Sequence, residues 1–265
     1  MSKIIKFTHI YGLDSLFPPE PASRNVPEWY KDLESYIGGE KIPPYNKQQD
    51  YETTGTIKKC MPVFDAINSG YIIKSPADVY ISQRKIEYID EDHLKKTGES
   101  IQLSEEYIEK HNYVKTQPYY QWASQGLIQF HPVEQAPNHP NRGNHTASYP
   151  KWNNPWGITT PPGYSVLFVQ PLHRESVFTI LPGVVDTDKY NTAVNFPFVL
   201  NDINFEGFIP AGTPIAQVIP FKRDSWSMEM GTEKDVISIN KQLPILRSVF
   251  FDSYKRFFRQ KKDYR

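Results

Sequence analysis

The chain of 265 residues carries 30 Lys and Arg against 30 Asp and Glu, so its formal net charge is zero. It is long enough to bury a sizeable core, and the neutral balance gives no indication of a nucleic-acid or membrane partner. Cys60 is the only cysteine, which excludes an intrachain disulfide and a metal site built from several thiolates.

The first 56 residues are predicted to form an arm with loops. Residues 3–10 have the apolar composition of a strand. Pro18, Pro19 and Pro21 then impose an extended segment, because proline fixes φ and has no N–H to donate. A short helix is predicted to begin at Pro27, since proline is favoured in the first turn of a helix.

The beginning of the chain has no recognisable export signal. The sequence Met1-Ser-Lys-Ile-Ile-Lys lacks the long apolar core of a signal peptide, and no run of residues approaches the length that spans a bilayer. We therefore expect a protein of the cytoplasm, without a membrane partner.

Residues 57–226 are predicted to form the core of the protein. The chain's 23 Pro, 17 Tyr and 15 Phe favour a β-rich, loop-rich domain over a helical bundle. A strand pair is expected across 57–64 and 70–73, and short strands separated by Gly, Pro and Asn follow from Gly163 onward. Such punctuation is typical of a barrel or a sandwich.

Two stretches of this core are predicted to be inserted loops. Residues 84–112 are charged and weakly apolar, which is typical of a solvated excursion. Residues 131–156 are rich in Pro, Asn, His and Trp, a composition that we expect to form no regular structure. Trp152 and Trp156 in the second loop either stack on a bound base or sugar, or plug the end of a barrel or an oligomer contact.

The second loop also contains the candidate metal ligands. His131, His139 and His145 lie within fifteen residues, together with Glu134. Imidazoles and a carboxylate bind divalent transition metals when a loop brings them together. Their spacing of eight and six residues matches no helical or hairpin metal motif, so hydrogen-bonded surface histidines are the alternative and no metal is expected.

Residues 227–265 are predicted to form a linker and a basic amphipathic helix. From about Leu243, apolar residues recur at helical spacing; they are Leu246, Phe250, Tyr254, Phe257 and Phe258. Residues 241–265 contain eight Lys and Arg against two Asp, a surplus of six positive charges. This helix either meets an anionic partner, such as nucleic acid, or docks on the body or on a neighbouring subunit, and the apolar stripe favours docking.

Three motifs occur in the order and spacing of a known superfamily. They are Pro162-Gly-Tyr-Ser-Val-Leu-Phe-Val-Gln-Pro-Leu-His-Arg, Gly183-Val-Val-Asp-Thr-Asp-Lys-Tyr and Gly212-Thr-Pro-Ile-Ala-Gln. Together they resemble the β-clip proteins, the trimeric dUTPases and dCTP deaminases. The resemblance implies a mainly β, distorted barrel of β-clip type with an N-terminal arm and a C-terminal amphipathic helix, assembled as a homotrimer.

The same resemblance implies a set of candidate site residues. Asp186 matches the aspartate that orients the attacking water in dUTPases, and it is the candidate catalytic residue. Tyr190 falls near the tyrosine that stacks on the base, and Asn201 resembles an asparagine after the next strand. The candidate ligand-binding residues are Asp78, Arg174, Asp186, Asp188, Tyr190 and Gln217.

The chain departs from the pattern of an active enzyme at several positions. Lys189 is inserted before Tyr190, and Leu172-His-Arg-Glu stands where the family has an Arg-Ser pair that grips phosphates. The glycine-rich closing arm is missing, since Gly231 is the only glycine after Gly212. Phosphate chemistry requires dense positive charge and backbone donors around a polyanion.

These departures favour an oligomeric binding or virion-associated structural module without enzymatic activity and without a cofactor. The alternative is a divergent nucleotide hydrolase or deaminase, in which Asp186 activates water beside a phosphate chain that carries Mg²⁺. Turnover of nucleotides distinguishes the two hypotheses.

Taken whole, the chain also resembles a protein family that is common in tailed-phage genomes and has relatives in bacteria. The resemblance is carried by Pro27-Glu-Trp-Tyr-Lys, Lys151-Trp-Asn-Asn-Pro-Trp and the segment that ends at Trp226. It implies a protein of the bacterial host cytoplasm, or of the virion, whose partners are copies of itself, other phage proteins or a nucleotide-like small molecule.

Overall fold

The computed structural model describes residues 3–10, 17–39, 55–81, 86–88, 127–132, 148–202, 205, 207–248 and 252–264. The described strands are β1 (Lys6–His9), β2 (Glu20–Pro21), β3 (Tyr71–Lys74), β4 (Val79–Ile81), β5 (Ile86–Tyr88), β6 (Ile128–Pro132), β7 (Ser148–Trp152), β8 (Trp156–Thr159), β9 (Tyr164–Val169), β10 (Phe178–Ile180), β11 (Gly183–Val185), β12 (Phe196–Leu200), β13 (Gly207–Ile209) and β14 (Pro214–Lys222). The α-helices are α1 (Glu28–Asp32), α2 (Met61–Asn68) and α3 (Glu233–Ser248). Short 3₁₀ turns lie at Ala22–Arg24, Ile37–Gly39 and Ile57–Lys59, and a π-helical turn lies at Tyr254–Phe258.

The predicted mainly β class is confirmed, and neighbouring strands such as β9 and β14, or β6 and β7, pair antiparallel. The chain divides into two compact units. The first contains Met1–Glu20 and Gly70–Arg223, and the second contains Pro21–Ser69 and Asp224–Arg265. The sequence predicted boundaries at residues 57 and 227, which divide the chain into consecutive segments. The second unit instead combines an early and a late segment that no local sequence pattern connects.

Strand β14 organises the central sheet of the first unit. The sheet contains the order β11-β9-β14-β3, so β14 pairs with one strand on each side. Its nine residues bury Ile215, Ala216, Gln217 and Val218. Gly70, just before β3, has φ +72°, and a Cβ there would collide with the Val218 carbonyl oxygen. The close approach of the backbone to β14 therefore requires glycine at this position.

A second sheet, with the order β10-β12-β7-β6, contributes large aromatic side chains to the core. Trp152 is fully buried and stacks on Phe198, with ring centroids 5.4 Å apart and an interplanar angle of 29°. Phe178 lies 5.5 Å from Trp152 and 5.4 Å from Phe198. Of the two roles expected for Trp152, core packing is the one that the structure supports.

The predicted loop 131–156 contains a strand. β7 pairs with β6, which places Ser148 opposite Pro132, and it also pairs with β12. The residues between these two strands lie outside the described part of the chain, as do nearly all residues of the predicted loop 84–112. Local composition indicated a loop because the strand contains Pro150, but the pairing that stabilises it is with distant segments.

The expected strand at 57–64 is wrong, because this segment is a 3₁₀ turn followed by α2. The side chain of Thr56 accepts a hydrogen bond from the Lys58 N–H at 3.3 Å, which caps the turn. Pro62 lies in the first turn of α2, where its missing N–H costs nothing. The partner strand expected at 70–73 is confirmed by β3.

In the second unit, the end of the chain docks on α2 through one carboxylate. Asp65 accepts hydrogen bonds from Arg259 Nη2 at 2.7 Å, from Lys262 Nζ at 2.6 Å and from the Tyr264 hydroxyl. The Ser23 hydroxyl donates to the Tyr264 carbonyl at 2.8 Å. The segment that docks within this unit is therefore the one after the predicted helix, and ion pairs and hydrogen bonds rather than the predicted apolar stripe hold it.

This docking changes the ionisation of its members. The hydrogen bond from Arg259 is the largest cause that holds the pKa of Asp65 well below its ordinary range. Burial, followed by the hydrogen bond with Asp65, raises the pKa of Tyr264 to about 12. The cluster of Asp65, Arg259, Lys262 and Tyr264 is called the tail cluster below.

The predicted C-terminal helix is present, but it begins earlier than expected. α3 starts at Glu233 and ends at Ser248, with Pro244 inside it, and Tyr254–Phe258 forms a separate turn. None of the helices in the described part of the chain combines the length and the apolar character needed to cross a membrane.

Candidate functional site

The candidate site is the turn that follows β11, where Asp186, Asp188 and Tyr190 lie. The Asp186 carbonyl accepts hydrogen bonds from the Lys189 and Tyr190 N–H groups at 2.9 and 2.8 Å. Within this tight turn the two aspartates differ in exposure. The Asp186 side chain is 59% exposed, whereas that of Asp188 is 3% exposed. The inserted Lys189 is accommodated within the turn.

Arg223, which follows β14 directly, holds both carboxylates. Its Nη1 and Nη2 atoms donate to Asp188 Oδ1 and Oδ2 at 2.8 and 2.5 Å, a two-point contact that matches the fork of the guanidinium. Nη1 also lies 3.1 Å from Asp186 Oδ1. We call Arg223, Asp186 and Asp188 the arginine clamp.

Strand β9 and the turn before it complete the arginine clamp. The Ser165 hydroxyl donates to Asp186 Oδ1 at 2.6 Å, and the Gly163 N–H donates to Asp188 Oδ2 at 2.9 Å. Gly163 has φ +82°, the left-handed conformation that favours glycine, in a turn closed by the Tyr164 N–H and the Pro161 carbonyl. The register of β14 with β9 places Lys222 opposite Tyr164, so Arg223 arrives beside this turn.

The charges of the arginine clamp stabilise each other. Hydrogen bonds from Arg223 and then from the Gly163 N–H hold the pKa of Asp188 well below its ordinary range. The hydrogen bond with Asp188 in turn raises the pKa of Arg223. Behind the turn, the hydroxyl groups of Thr160 and Thr187 form a buried hydrogen bond of 2.7 Å. Asp188 is therefore a structural anion in this arrangement.

Asp186 keeps one carboxylate oxygen without a partner among the described residues. The contacts of this carboxylate with the described residues all involve Oδ1, and Oδ2 makes no hydrogen bond with them. Tyr190, four residues further on, is 52% exposed. Asp186 Oδ2 and the Tyr190 ring are thus the parts of the predicted site that remain accessible.

Two other predicted site residues have structural partners. Asp78 accepts a hydrogen bond from the Ala211 N–H at 2.6 Å and fixes the turn before β14. Gln217 is 1% exposed and its Oε1 accepts from the Leu172 N–H at 2.9 Å, which ties β14 to the connection after β9. Asn201 likewise donates to the Ser176 carbonyl at 2.7 Å.

Arg174, in contrast, makes no hydrogen bond or ion pair with the described residues. Its Nη2 atom is buried without a partner, and burial lowers the pKa of the guanidinium. Gln170 lies four residues before it. The Oε1 atom of Gln170 accepts a hydrogen bond from the Ile180 N–H at 3.0 Å, whereas its Nε2 atom is buried without a partner among the described residues. A buried guanidinium nitrogen without an acceptor is costly.

The predicted histidine ligands remain untested. His139 and His145 lie outside the described residues, and only the backbone of His131 in β6 is described. No group of three or more His, Cys, Asp or Glu residues is placed to hold a metal in the part of the chain that the structure covers. For the Mg²⁺ of the hydrolase hypothesis, Asp186 Oδ2 fits as one ligand, since Mg²⁺ commonly binds one or two carboxylates plus substrate phosphates.

Sequence reasoning found the aspartates but missed Arg223. The residue lies in the segment Phe221-Lys-Arg-Asp-Ser-Trp, which contributed only to the family resemblance, and its partner Asp188 is 35 residues earlier. The available signal was the strand before it, since a basic residue just after the last strand of a sheet is a candidate partner for acids in a neighbouring turn.

Comparisons with known proteins add a likeness to solved structures. No protein-family model matches the chain, and no curated protein matches it. Among solved structures, the chain is similar to a point mutant of the Staphylococcus bacteriophage 80alpha dUTPase with dUpNHpp, at 11% identity over 82% of this chain and 88% of that chain, with a TM-score of 0.27. The chain's own contacts therefore carry the argument about its site.

Proposed function

We propose that the chain is a non-hydrolytic, self-associating binding module of phage type. The observation that carries this proposal is the arginine clamp. A carboxylate that activates water has to accept a proton beside its substrate. Here Asp188 is saturated by Arg223 and Gly163, and one oxygen of Asp186 is held by Ser165 and Arg223. The clamp uses the acidic groups to fasten β14 to the turn after β11.

The binding half of the proposal rests on Arg174. Its Nη2 atom and the Nε2 atom of Gln170, both without a partner among the described residues, supply two buried donors and one positive charge. An anionic oxygen satisfies both the charge and the buried donor of Arg174. We infer a small ligand with a phosphate or carboxylate group, which includes nucleotide-like molecules. The proposed location is the cytoplasm of a bacterial host or the virion, with phage proteins as further partners.

Two assays test these halves separately. Purified protein incubated with a panel of nucleoside triphosphates and Mg²⁺ is expected to give no turnover. In a thermal-shift titration with inorganic phosphate, citrate and nucleotides, at least one anion is expected to raise Tm, and Arg174→Gln is expected to abolish that shift. Lys189→Gln is the matched control, because it removes one exposed cation near the clamp. Silence across the panel, or a shift that persists in Arg174→Gln, contradicts the binding half.

A divergent nucleotide hydrolase is the second candidate, favoured by one observation. Asp186 Oδ2 has no partner among the described residues and its side chain is 59% exposed, so this oxygen is able to approach a water molecule. Turnover of any nucleotide that disappears in Asp186→Asn, while Asp188→Asn retains the fold, would replace the first proposal by this one.

A further inference from the structure

Residues 254–262 of the second unit are strongly basic and are called the basic segment below. They contain five Lys and Arg and no Asp or Glu, in a chain whose formal net charge is zero. Two of the five belong to the tail cluster, because Arg259 and Lys262 both donate to Asp65. The other three are exposed, and their side chains make no hydrogen bond or ion pair with the described residues; they are Lys255, Arg256 and Lys261. The basic segment therefore carries positive charge that these residues do not neutralise.

Contacts on both sides hold the basic segment in place. Just before it, Asp252 forms an ion pair of 2.9 Å with Lys59. Within it, the guanidinium of Arg259 binds Asp65 at 2.7 Å and lies 5.6 Å from the centroid of the Phe64 ring. The three exposed cations are thus presented by an anchored backbone. A surface that is ordered in advance loses less conformational entropy when it binds a partner.

Aromatic rings are exposed among these cations. Phe257 follows Arg256 directly and is 55% exposed, and Tyr254 is 42% exposed. Both belong to the turn Tyr254–Phe258, which the Arg259 N–H closes by donating to the Tyr254 carbonyl at 2.8 Å. Proteins that bind single-stranded nucleic acids combine cations along the backbone with aromatic rings on which bases stack. The basic segment supplies both kinds of contact.

We propose that the basic segment binds single-stranded nucleic acid. The three exposed cations contact phosphates, and the ring of Phe257 stacks on a base. An unpaired strand fits better than a duplex, because the faces of paired bases are covered by their neighbours. It also fits better than an anionic lipid surface, since interfacial segments are amphipathic helices, whereas this turn spans five residues. This binding is separate from the anion site proposed at Arg174, which belongs to the first unit.

The first test measures the affinity of the full chain for a fluorescein-labelled oligothymidylate of about 20 nucleotides by fluorescence anisotropy. Three phosphate contacts predict a slope of about −2 for the logarithm of affinity against the logarithm of salt concentration, since each contributes about 0.7 on a single strand. The variant that combines Lys255→Ala, Arg256→Ala and Lys261→Ala is expected to bind about tenfold more weakly or worse, with a slope close to zero.

A second triple variant is the matched control. It combines Lys6→Ala, Lys234→Ala and Lys241→Ala, which remove the same number of exposed cations outside the basic segment. The control is expected to keep the salt slope and to change the affinity by no more than about twofold. Circular dichroism checks that both triple variants are folded.

Phe257→Ala separates stacking from charge. It is expected to weaken binding about fivefold or more while the salt slope stays unchanged, because the phosphate contacts remain. Phe257→Tyr keeps an aromatic ring and is expected to keep the affinity. The duplex of the same length is expected to bind more weakly than the single strand at equal salt.

Four results would overturn the proposal. They are no binding of the oligothymidylate at about 50 mM salt, equal losses in the two triple variants, unchanged affinity in Phe257→Ala, and a duplex that binds as tightly as the single strand. Vesicles of phosphatidylcholine with about 30% phosphatidylserine test the lipid alternative. Binding to these vesicles without binding to the oligothymidylate assigns the basic segment to anionic lipid and likewise overturns the proposal.

Discussion

Each unit of the molecule contains a cluster of charged side chains among its described residues, and the two clusters have opposite composition. In the arginine clamp, one guanidinium serves Asp186 and Asp188. In the tail cluster, one carboxylate serves Arg259, Lys262 and the Tyr264 hydroxyl. The single guanidinium of the arginine clamp and the single carboxylate of the tail cluster are fully engaged by their partners. The charge that is present in excess therefore lies on the group that remains exposed to solvent.

That difference distinguishes the tail cluster, a structural contact, from the arginine clamp, a candidate binding site. In the tail cluster the surplus is positive and lies on Lys262, whose side chain is 44% exposed. In the arginine clamp the surplus is negative and lies on Asp186, whose Oδ2 atom has no partner among the described residues. An acidic group with a free oxygen is able to bind a ligand, whereas Asp65 has no acceptor capacity to spare.

The largest effect is expected from Asp65→Ala in the tail cluster. This change removes three hydrogen-bond partners from the end of the chain and leaves Arg259, whose side chain is 13% exposed, without its anion. We expect a loss of about 2 kcal/mol in the free energy of unfolding of the second unit. Denaturant unfolding measures it, and limited proteolysis should show earlier cleavage after Tyr254. Lys261→Ala, which removes an exposed cation from the same segment, should change neither result.

An intermediate effect is expected when the two aspartates of the arginine clamp are compared. Asp188→Asn removes the two-point contact with Arg223, whereas Asp186→Asn removes only an exposed charge and leaves Asp188 in place. The free energy of unfolding of the first unit should fall clearly in Asp188→Asn and change by no more than about 0.5 kcal/mol in Asp186→Asn, as measured by denaturant unfolding. Equal losses would mean that the clamp does not distinguish the two carboxylates.

The smallest effect near neutral pH is expected from protonation. The folded-state pKa values of Asp65 and Asp188 lie below their ordinary value of 3.8, so each contributes stability that is fully present above that value. Their contributions are lost as the pH falls through the depressed pKa values. Thermal unfolding should therefore change little through these two groups between pH 7 and 5. Below about pH 4, the advantage of the wild type over Asp65→Asn and Asp188→Asn should shrink; a constant advantage would contradict the linkage.

The sequence was sufficient for the class of fold and for the turn that carries the aspartates. Short strands separated by Gly and Pro indicated the β-rich unit, and the order of motifs located Asp186, Asp188 and Tyr190. Both are local patterns. The C-terminal helix was predicted for the same reason, although α3 begins at Glu233, ten residues before the helical spacing was recognised at Leu243.

Long-range contacts were out of reach of local patterns. Asp65 and Arg259 are 194 residues apart, and Asp188 and Arg223 are 35 apart, so neither ion pair has a sequence signature. The helix at Met61–Asn68 was misread as a strand because its apolar residues fit either periodicity over so short a run. Buried Asp78 and Gln217 were predicted to bind a ligand, since a motif does not reveal which polar side chains hold the backbone.

The position of β14 has a mechanical consequence. The second segment of the first unit begins at Gly70 and ends at Arg223, directly after β14. The backbone of Gly70 lies against Val218 of β14. A force applied to the chain beyond Arg223 therefore enters the first unit through its central strand. Because β14 pairs with β9 on one side and β3 on the other, that load is shared by two ladders in shear, and the arginine clamp resists it before either ladder does. Sheared ladders break together, whereas a strand at the edge of a sheet peels one hydrogen bond at a time.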